Sequence, residues 1–196
     1  MSKDKETCKN CGFHYCEGLR LTPSQPCIWW NPIIENEELN KKKNMKTPIL
    51  TLMCGLPRSG KSTWIKKNKK KSDIIICPDE IRSELFGHKF HKPAEPMIWM
   101  LTEFFVNSLM KQKLNIILDA CNITSARNRW VYLAKENGYK VNLVILDTSL
   151  KICIKRNKNK KIPLDILKNM SIYFDIKRLI HPSNNIFDKI TKIDLT

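Results

Sequence analysis

The sequence lacks long apolar runs, and it has few acidic residues for its number of basic ones. No apolar run approaches the ~20 residues that a membrane-spanning helix needs, which excludes that class of protein. The N-terminus, Met-Ser-Lys-Asp-Lys-Glu, also lacks the apolar core of a secretory signal peptide. With 42% hydrophobic residues among 196, the chain can bury one core. We therefore expect an intracellular, globular protein without a membrane partner.

The shortage of acidic residues leaves the chain strongly basic. It has 19 Asp and Glu against 35 Lys and Arg, a net charge of +16. The lysines concentrate at residues 41–46, 66–71 and 151–161. A surplus of this size favours a polyanionic partner such as nucleic acid, although an AT-rich genome also produces lysine-rich chains. Nucleic acid is the partner that we expect.

The chain has eight cysteines, which divide into two groups. Because no signal peptide is present, we expect a reducing compartment and no disulfide framework. Cys54, Cys77, Cys121 and Cys153 are spread singly and are interpreted as small buried apolar residues.

The other four cysteines lie close together near the N-terminus. Cys8-x-x-Cys11, followed by Cys16 and Cys27, supplies enough thiolates for one structural zinc ion. His14 is an alternative to Cys16 as the third ligand, and unliganded thiols in an extension are the alternative to zinc. We predict a small zinc-binding module with its linker over residues 1–46 and a main domain over 47–196.

The main domain opens with a short apolar run, Ile49 to Met53, and a phosphate-binding pattern follows it directly. The pattern and the residue after it read Gly55, Leu56, Pro57, Arg58, Ser59, Gly60, Lys61, Ser62 and Thr63. The glycines allow the backbone N–H groups to approach phosphate oxygens. Lys61 can reach the β and γ phosphates, and the Ser62 hydroxyl can bind magnesium. The motif therefore predicts a nucleoside triphosphate site, most simply for ATP with Mg²⁺.

Short apolar runs alternate with longer amphipathic ones after this motif. The pattern predicts strands at 49–53, 74–77, 115–119, 141–147 and, at one edge, 190–193, with helices between them. Such alternation indicates an α/β fold with a parallel sheet of about five strands, covered by helices on both faces. Apolar residues at helical spacing in the segment 94–111 are expected in the core: Met97, Met100, Leu101, Phe104 and Phe105.

Two carboxylates are expected beside the phosphate-binding loop. Asp79 and Asp119 follow predicted strands, and ligands of parallel sheets bind beyond the carboxyl ends of the strands. Asp79 and Arg82 are three residues apart at the start of a helix, so they share one face. An N-cap with a solvated partner is the plain interpretation, whereas an acceptor hydroxyl oriented by a carboxylate is the functional one.

The ordered combination of these motifs resembles the bacteriophage-type polynucleotide 5′-kinases and their P-loop kinase relatives. The resemblance runs from about Ile49 to Asp175, with a likeness to the closing edge strand beyond it. It rests on the loop through Trp64, Asp79-x-x-Arg82, Leu-Asp119-Ala-Cys-Asn, Lys-Arg156-Asn and Ile-Pro163. The first 46 residues lie outside it.

The resemblance implies a role for each matched residue. Asp79 would be the general base for the 5′-hydroxyl, and Arg82 would contact the acceptor's phosphate. Asp119 would help to hold that arginine, or alternatively would order magnesium-bound water. Arg156 would belong to a lid over the donor, where a second family arginine is replaced by lysine, most simply Lys160. Lysine lacks the planar fork that grips two phosphate oxygens.

These features together predict ATP- and Mg²⁺-dependent phosphorylation of a nucleic acid 5′-hydroxyl. One alternative is a kinase of a small metabolite or nucleotide sugar, since the fold does not determine the acceptor. Another is a non-catalytic, nucleotide-gated binding module. Relatives often carry a phosphatase domain after the kinase, which we do not expect in a chain of 196 residues.

Overall fold

A computed structural model describes residues 47–87, 91–158, 162–181 and 186–195. The predicted N-terminal module lies outside these residues, as do its proposed ligands Cys8, Cys11, His14, Cys16 and Cys27. The zinc site and the division at residue 46 therefore stay predictions. Across the described ranges, no cluster of three or more His, Cys, Asp or Glu could hold a metal ion.

The described residues contain five strands in one sheet. They are β1 (Ile49–Cys54), β2 (Asp73–Ile76), β3 (Asn115–Leu118), β4 (Lys140–Asp147) and β5 (Lys189–Asp194). Their order is β2-β3-β1-β4-β5, and every neighbouring pair is parallel. The predicted parallel sheet of about five strands is confirmed, and the last strand lies at one edge as expected.

Helices connect these strands. They are α1 (Lys61–Asn68), α2 (Pro78–Phe86), α3 (Glu95–Lys111), α4 (Asn128–Glu136), α5 (Leu150–Arg156), α6 (Leu164–Tyr173) and α7 (Ile176–Leu179). Short 3₁₀ turns at Lys92–Ala94 and Ser125–Arg127 lead into α3 and α4. Proline lies at the start of α2 and of α3, where its missing N–H has no intrahelical partner to lose.

The sheet buries both of its faces, because successive strand residues point to opposite sides. On one face Leu50 and Leu52 belong to a core that includes Val106 of α3 and Trp130 of α4. On the other face Met53 packs in a second cluster that includes Ile65 of α1. The strands are consequently apolar along nearly their whole length, which is typical of a parallel sheet covered on both sides.

The predicted core face of α3 was wrong. Met100 and Phe104 are each 62% exposed, Met97 and Phe105 are also exposed, and Leu101 is half-buried. The buried stripe instead consists of residues four apart: Ile98, Thr102, Val106 and Met110. Because α3 is apolar on both its inner and its outer face, helical periodicity alone could not tell which face meets the sheet.

No helix in the part of the chain that the structure describes is long and apolar enough to cross a membrane.

Candidate active site

The phosphate-binding loop joins the end of β1 to the start of α1, and its glycines are sterically required. Gly55 has φ 150°, and a Cβ there would lie 2.8 Å from Ser59 Oγ and 2.9 Å from the carbonyl oxygen of Leu146. Gly60 has φ 108°, in a region that side-chain-bearing residues rarely adopt. Both motif glycines are therefore needed by the backbone itself, as the sequence predicted.

Neighbouring loops hold the phosphate-binding loop from two sides. The Thr148 hydroxyl, just beyond β4, donates to the carbonyl oxygen of Ser59 at 2.9 Å. The Cys121 carbonyl oxygen, in the segment after β3, accepts a hydrogen bond from the Gly55 N–H at 3.0 Å. Asn122 donates from its side chain to the Met53 carbonyl at 2.9 Å. These contacts hold the loop against the segments that follow β3 and β4.

Lys61 is the first residue of α1, and its side chain lies back along the loop. Its Nζ donates to the carbonyl oxygens of Gly55 at 3.1 Å and Leu56 at 2.9 Å, and Cys121 Sγ is 3.6 Å away. The residue is only 8% exposed. The first N–H groups of a helix have no intrahelical partner and favour an anion. Lys61 thus adds a cation to a helix start that is already suited to phosphate.

Ser62 and Asp119 form the pair that suits magnesium. The Ser62 hydroxyl donates to Asp119 Oδ2 at 2.7 Å, which brings together the start of α1 and the residue after β3. Mg²⁺ prefers oxygen ligands and is commonly held by one or two protein oxygens together with substrate phosphates. The donor set fits a magnesium–nucleotide complex on chemical grounds. It also favours the second of the two roles implied for Asp119, the ordering of magnesium-bound water.

Asp79 and Arg82 lie at the start of α2, on the same carboxyl edge of the sheet. Arg82 Nη1 donates to Asp79 Oδ1 in a close ion pair. The other side of the guanidinium forms a fork with Glu95 of α3, Nε to Oε1 at 2.7 Å and Nη2 to Oε2 at 2.9 Å. The bond with Glu95 raises the pKa of Arg82 above its ordinary value. The sequence prediction that Asp79 and Arg82 share a face is confirmed by this contact.

Glu95 is the residue of this cluster that the sequence analysis missed. Its carboxylate begins α3, where negative charge is favoured by the helix dipole, and Pro96 follows it. A glutamate before proline at a helix start is a weak signal, and its distance of 13 residues from Arg82 is not a local spacing. Only the packing of α3 against α2 brings the two together.

Arg156, at the end of α5, reaches the phosphate-binding loop, and its role in a lid stays a prediction. Its Nη1 donates to the carbonyl oxygen of Ser59 at 3.1 Å and lies 3.4 Å from that of Arg58. Lys160, the predicted second cation of the lid, lies outside the described residues. Its role stays a prediction.

The cysteines around the site are poor nucleophiles. Burial raises the pKa of Cys54 to about 12 and that of Cys77 to about 11, and it also raises the pKa of Cys121. Because the thiolate is the reactive form, none of the three is suited to covalent chemistry near neutral pH. Cys54 and Cys153 are buried, as predicted, while Cys77 and Cys121 are only partly so.

Comparison with known proteins identifies the family of this domain. The family model described as AAA domain matches residues 50–165, which is more than half of the chain. The chain belongs to this AAA domain family. The matched region contains the phosphate-binding loop, Asp79, Arg82 and Asp119.

One curated protein and two solved structures are similar to this chain. L-seryl-tRNA(Sec) kinase of Methanococcus maripaludis is 29% identical over 136 residues, which cover 65% of this chain and 52% of the relative. The chain therefore spans about half the length of this curated relative. A chain of the Pnkp1/Rnl/Hen1 RNA repair complex superposes with TM-score 0.62 at 22% identity, covering 71% of this chain and 48% of the other.

The second similar structure belongs to a different biological setting. It comes from the PezAT toxin-antitoxin system of Streptococcus pneumoniae, with TM-score 0.59, 19% identity and coverage of 84% and 78% of the two chains. At such identities the two structural likenesses show the fold and leave the acceptor open. The resemblance to P-loop kinases is confirmed at the level of the fold, and the acceptor has to be argued from the site.

Proposed function

We propose that this protein transfers the γ-phosphate of ATP to the 5′-hydroxyl end of a nucleic acid. The observation that carries the proposal is that Asp79 and Arg82, forming one ion pair, lie on the edge of the sheet that also bears Lys61 and Ser62. A donor site and a carboxylate for an acceptor hydroxyl are thus side by side. A non-catalytic nucleotide-binding module would need the donor site but not a carboxylate placed for an acceptor hydroxyl.

In the proposed reaction Asp79 accepts the proton of the attacking hydroxyl. The new bond joins that oxygen to the γ-phosphorus, while the bond from the γ-phosphorus to the bridging oxygen breaks and ADP leaves. Lys61 and the N–H groups that begin α1 stabilise charge on the transferring phosphoryl group. Ser62 would bind Mg²⁺ and Asp119 would order the water bound to it, and the ion neutralises phosphate charge when bound. Arg82 positions the acceptor by its phosphate, and Arg156 lies on the donor side.

The openness of the acceptor side supports a polymer end over a small metabolite. The Asp79 side chain is 88% exposed. Pockets for small molecules usually bury most of their ligand, so a carboxylate this open suits a chain end that enters from outside. The likeness to a chain of an RNA repair complex and the 29% identity to a kinase that acts on an aminoacyl-tRNA point in the same direction.

Glu95 is proposed to position Arg82 for the acceptor. A two-bond fork on Nε and Nη2 leaves Nη1 as the nitrogen directed towards Asp79. Replacing Glu95 with Gln removes the charge and one acceptor of the fork, so we expect the KM for the oligonucleotide to rise about tenfold with little change in the KM for ATP. Steady-state kinetics with each substrate varied in turn measure this split.

The matched control for Glu95 is Glu103, which lies two turns further along α3 and forms an ion pair with Arg129. Replacing Glu103 with Gln removes a similar carboxylate from the same helix away from the site, and both kinetic constants should stay unchanged. A second check uses Arg82→Ala, after which Glu95→Gln should have no further effect. Independent, additive effects would contradict a positioning role.

The proposed activity is tested by transfer of labelled γ-phosphate from ATP, with Mg²⁺, to 5′-hydroxyl DNA and RNA oligonucleotides. Oligonucleotides that already carry a 5′-phosphate are the control. Label on the hydroxyl ends alone supports the proposal, and the ratio of the two rates identifies the polymer. ATP binding without label on any end would contradict it and favour a small-molecule or aminoacyl acceptor, for which seryl-tRNA is the next substrate to test.

A further inference from the structure

The edge of the sheet opposite the candidate active site carries a row of lysines. In a parallel sheet all strands begin at one edge, so residues that precede or open the strands gather there. Among the described residues six exposed lysines do so, and we call them the lysine edge: Lys69, Lys70, Lys71, Lys113, Lys140 and Lys189.

Strand pairing establishes that these residues share one edge. Lys140 opens β4 and pairs with Ile49, the first residue of β1. Lys189 opens β5 and pairs with Asn142, two residues into β4. The starts of β2 and β3 are likewise paired, Asp73 with Asn115, and lysines lie just before both. At about 4.8 Å between strands, the row extends over roughly 20 Å.

The charge of this edge is poorly compensated. Among the residues that the structure describes, none of these six lysines takes part in an ion pair. The nearby carboxylates of Asp73 and Asp188 accept bonds from the backbone N–H groups of Lys70 and Val141, both at 2.8 Å. Arg82 and Lys192 on the opposite edge, by contrast, are each paired with two carboxylates. The lysine edge is therefore an open positive surface.

Local structure explains part of this arrangement but not all of it. Lys69 is the C-cap residue of α1, where positive charge is favoured by the helix dipole, and Lys113 donates to the carbonyl oxygen of Asn137. Lys189 opens the edge strand β5, where lysine also hinders pairing with another chain. Lys140 opens the interior strand β4, where no helix end favours a cation and where lysine has a low propensity. A common requirement for a polyanion accounts for all six together.

We propose that the lysine edge binds the phosphate backbone of the nucleic acid whose end is phosphorylated at the opposite edge. This inference rests on the proposed function for the identity of the polymer. Strand β1 has six residues, so the two edges are about 20 Å apart. A nucleic acid must pass outside the helices that cover the sheet, so at about 3.4 Å per nucleotide of a duplex strand it needs at least about six nucleotides to span this distance. A trinucleotide is consequently too short to reach both, whereas a 20-mer is not.

The test compares the triple variant Lys71→Ala, Lys140→Ala, Lys189→Ala with the wild-type chain and a matched control. The control removes three exposed helix lysines elsewhere, Lys151→Ala, Lys168→Ala and Lys177→Ala. Kinase KM is measured for 5′-hydroxyl trinucleotide and 20-mer acceptors. Binding of a labelled 20-mer is measured in parallel over a range of salt concentrations.

We expect the edge variant to raise the KM for the 20-mer about tenfold. The slope of the logarithm of the binding constant against the logarithm of the salt concentration should become less steep by about 2, which corresponds to the loss of three phosphate contacts. The KM for the trinucleotide should not change, and the control variant should match the wild type. Equal effects of the two triple variants, or an effect on the trinucleotide as large as on the 20-mer, would overturn the inference. Polyglutamate competing as strongly as DNA at equal charge would also overturn it, because the surface would then not be specific for nucleic acid.

The two proposals fail in different ways in this experiment. If the edge variant phosphorylates both acceptors and its binding is unchanged, the proposed role of the lysine edge is wrong and the kinase proposal stays in place. Absence of phosphorylation, combined with 20-mer binding that depends on the edge lysines, contradicts the kinase proposal and leaves the lysine edge as a nucleic-acid-binding surface.

Discussion

Replacing Lys61 with Met is expected to reduce phosphoryl transfer by about a thousandfold, the scale typical of removing one group that stabilises transition-state charge. Lys61 Nζ lies over the loop carbonyls of Gly55 and Leu56, so it is the cation already directed at the phosphate-binding loop. Methionine keeps the length and apolar stem of a side chain that is 8% exposed, which limits the damage to folding. Transfer of labelled phosphate to a short 5′-hydroxyl oligonucleotide measures the effect.

The control for this variant is Lys168→Met, which removes a lysine from the exposed surface of α6. It should transfer phosphate at the wild-type rate. Thermal unfolding of both variants establishes that each is folded. A Lys61→Met protein that is folded and retains most of its activity would rule out the phosphate-binding role assigned to this residue.

Replacing Asp79 with Asn is expected to lower kcat by roughly 10² to 10⁴, the usual contribution of a general base. Asparagine retains the shape of the side chain and still accepts a bond from Arg82, but it cannot take the proton of the attacking hydroxyl. Binding of ATP should persist, because Lys61, Ser62 and Asp119 are unchanged. Single-turnover transfer and nucleotide binding, measured on the same preparation, separate the two effects.

Glu80→Gln is the matched control for Asp79→Asn. Glu80 is the next residue of α2, it is exposed, and both residues provide negative charge in the first turn of the helix. Any loss that comes only from the helix dipole should therefore appear in both variants. If Asp79→Asn retained full turnover, Asp79 would be a helix-terminal residue only, and the proposed mechanism would be wrong.

Much of the fold could be predicted from the sequence because its signals are local. Strands are short apolar runs bounded by polar residues, and the phosphate-binding loop is one continuous segment with two glycines whose backbone angles few other residues adopt. The rule that ligands bind beyond the carboxyl ends of parallel strands then places Asp79 and Asp119 near the loop without any coordinates.

Pairings between distant segments could not be predicted in this way. The bond between Ser62 and Asp119 joins residues 57 positions apart, and the fork between Arg82 and Glu95 depends on how α3 packs on α2. The outer face of α3 illustrates the same limit. Its apolar residues satisfy helical periodicity as well as the buried ones do, and only the sheet decides which face is covered.

The sequence by itself determined the family of the fold, the phosphate-binding loop and the pairing of Asp79 with Arg82, since each depends on residue types at fixed local spacing. The tertiary structure alone decided which carboxylate holds Arg82, which face of α3 is buried, and that six separate lysines form one edge. The physical reason is that a parallel sheet brings the starts of all its strands to one side and their ends to the other. Residues remote in sequence thereby become neighbours through strand register and helix packing, which no local pattern encodes.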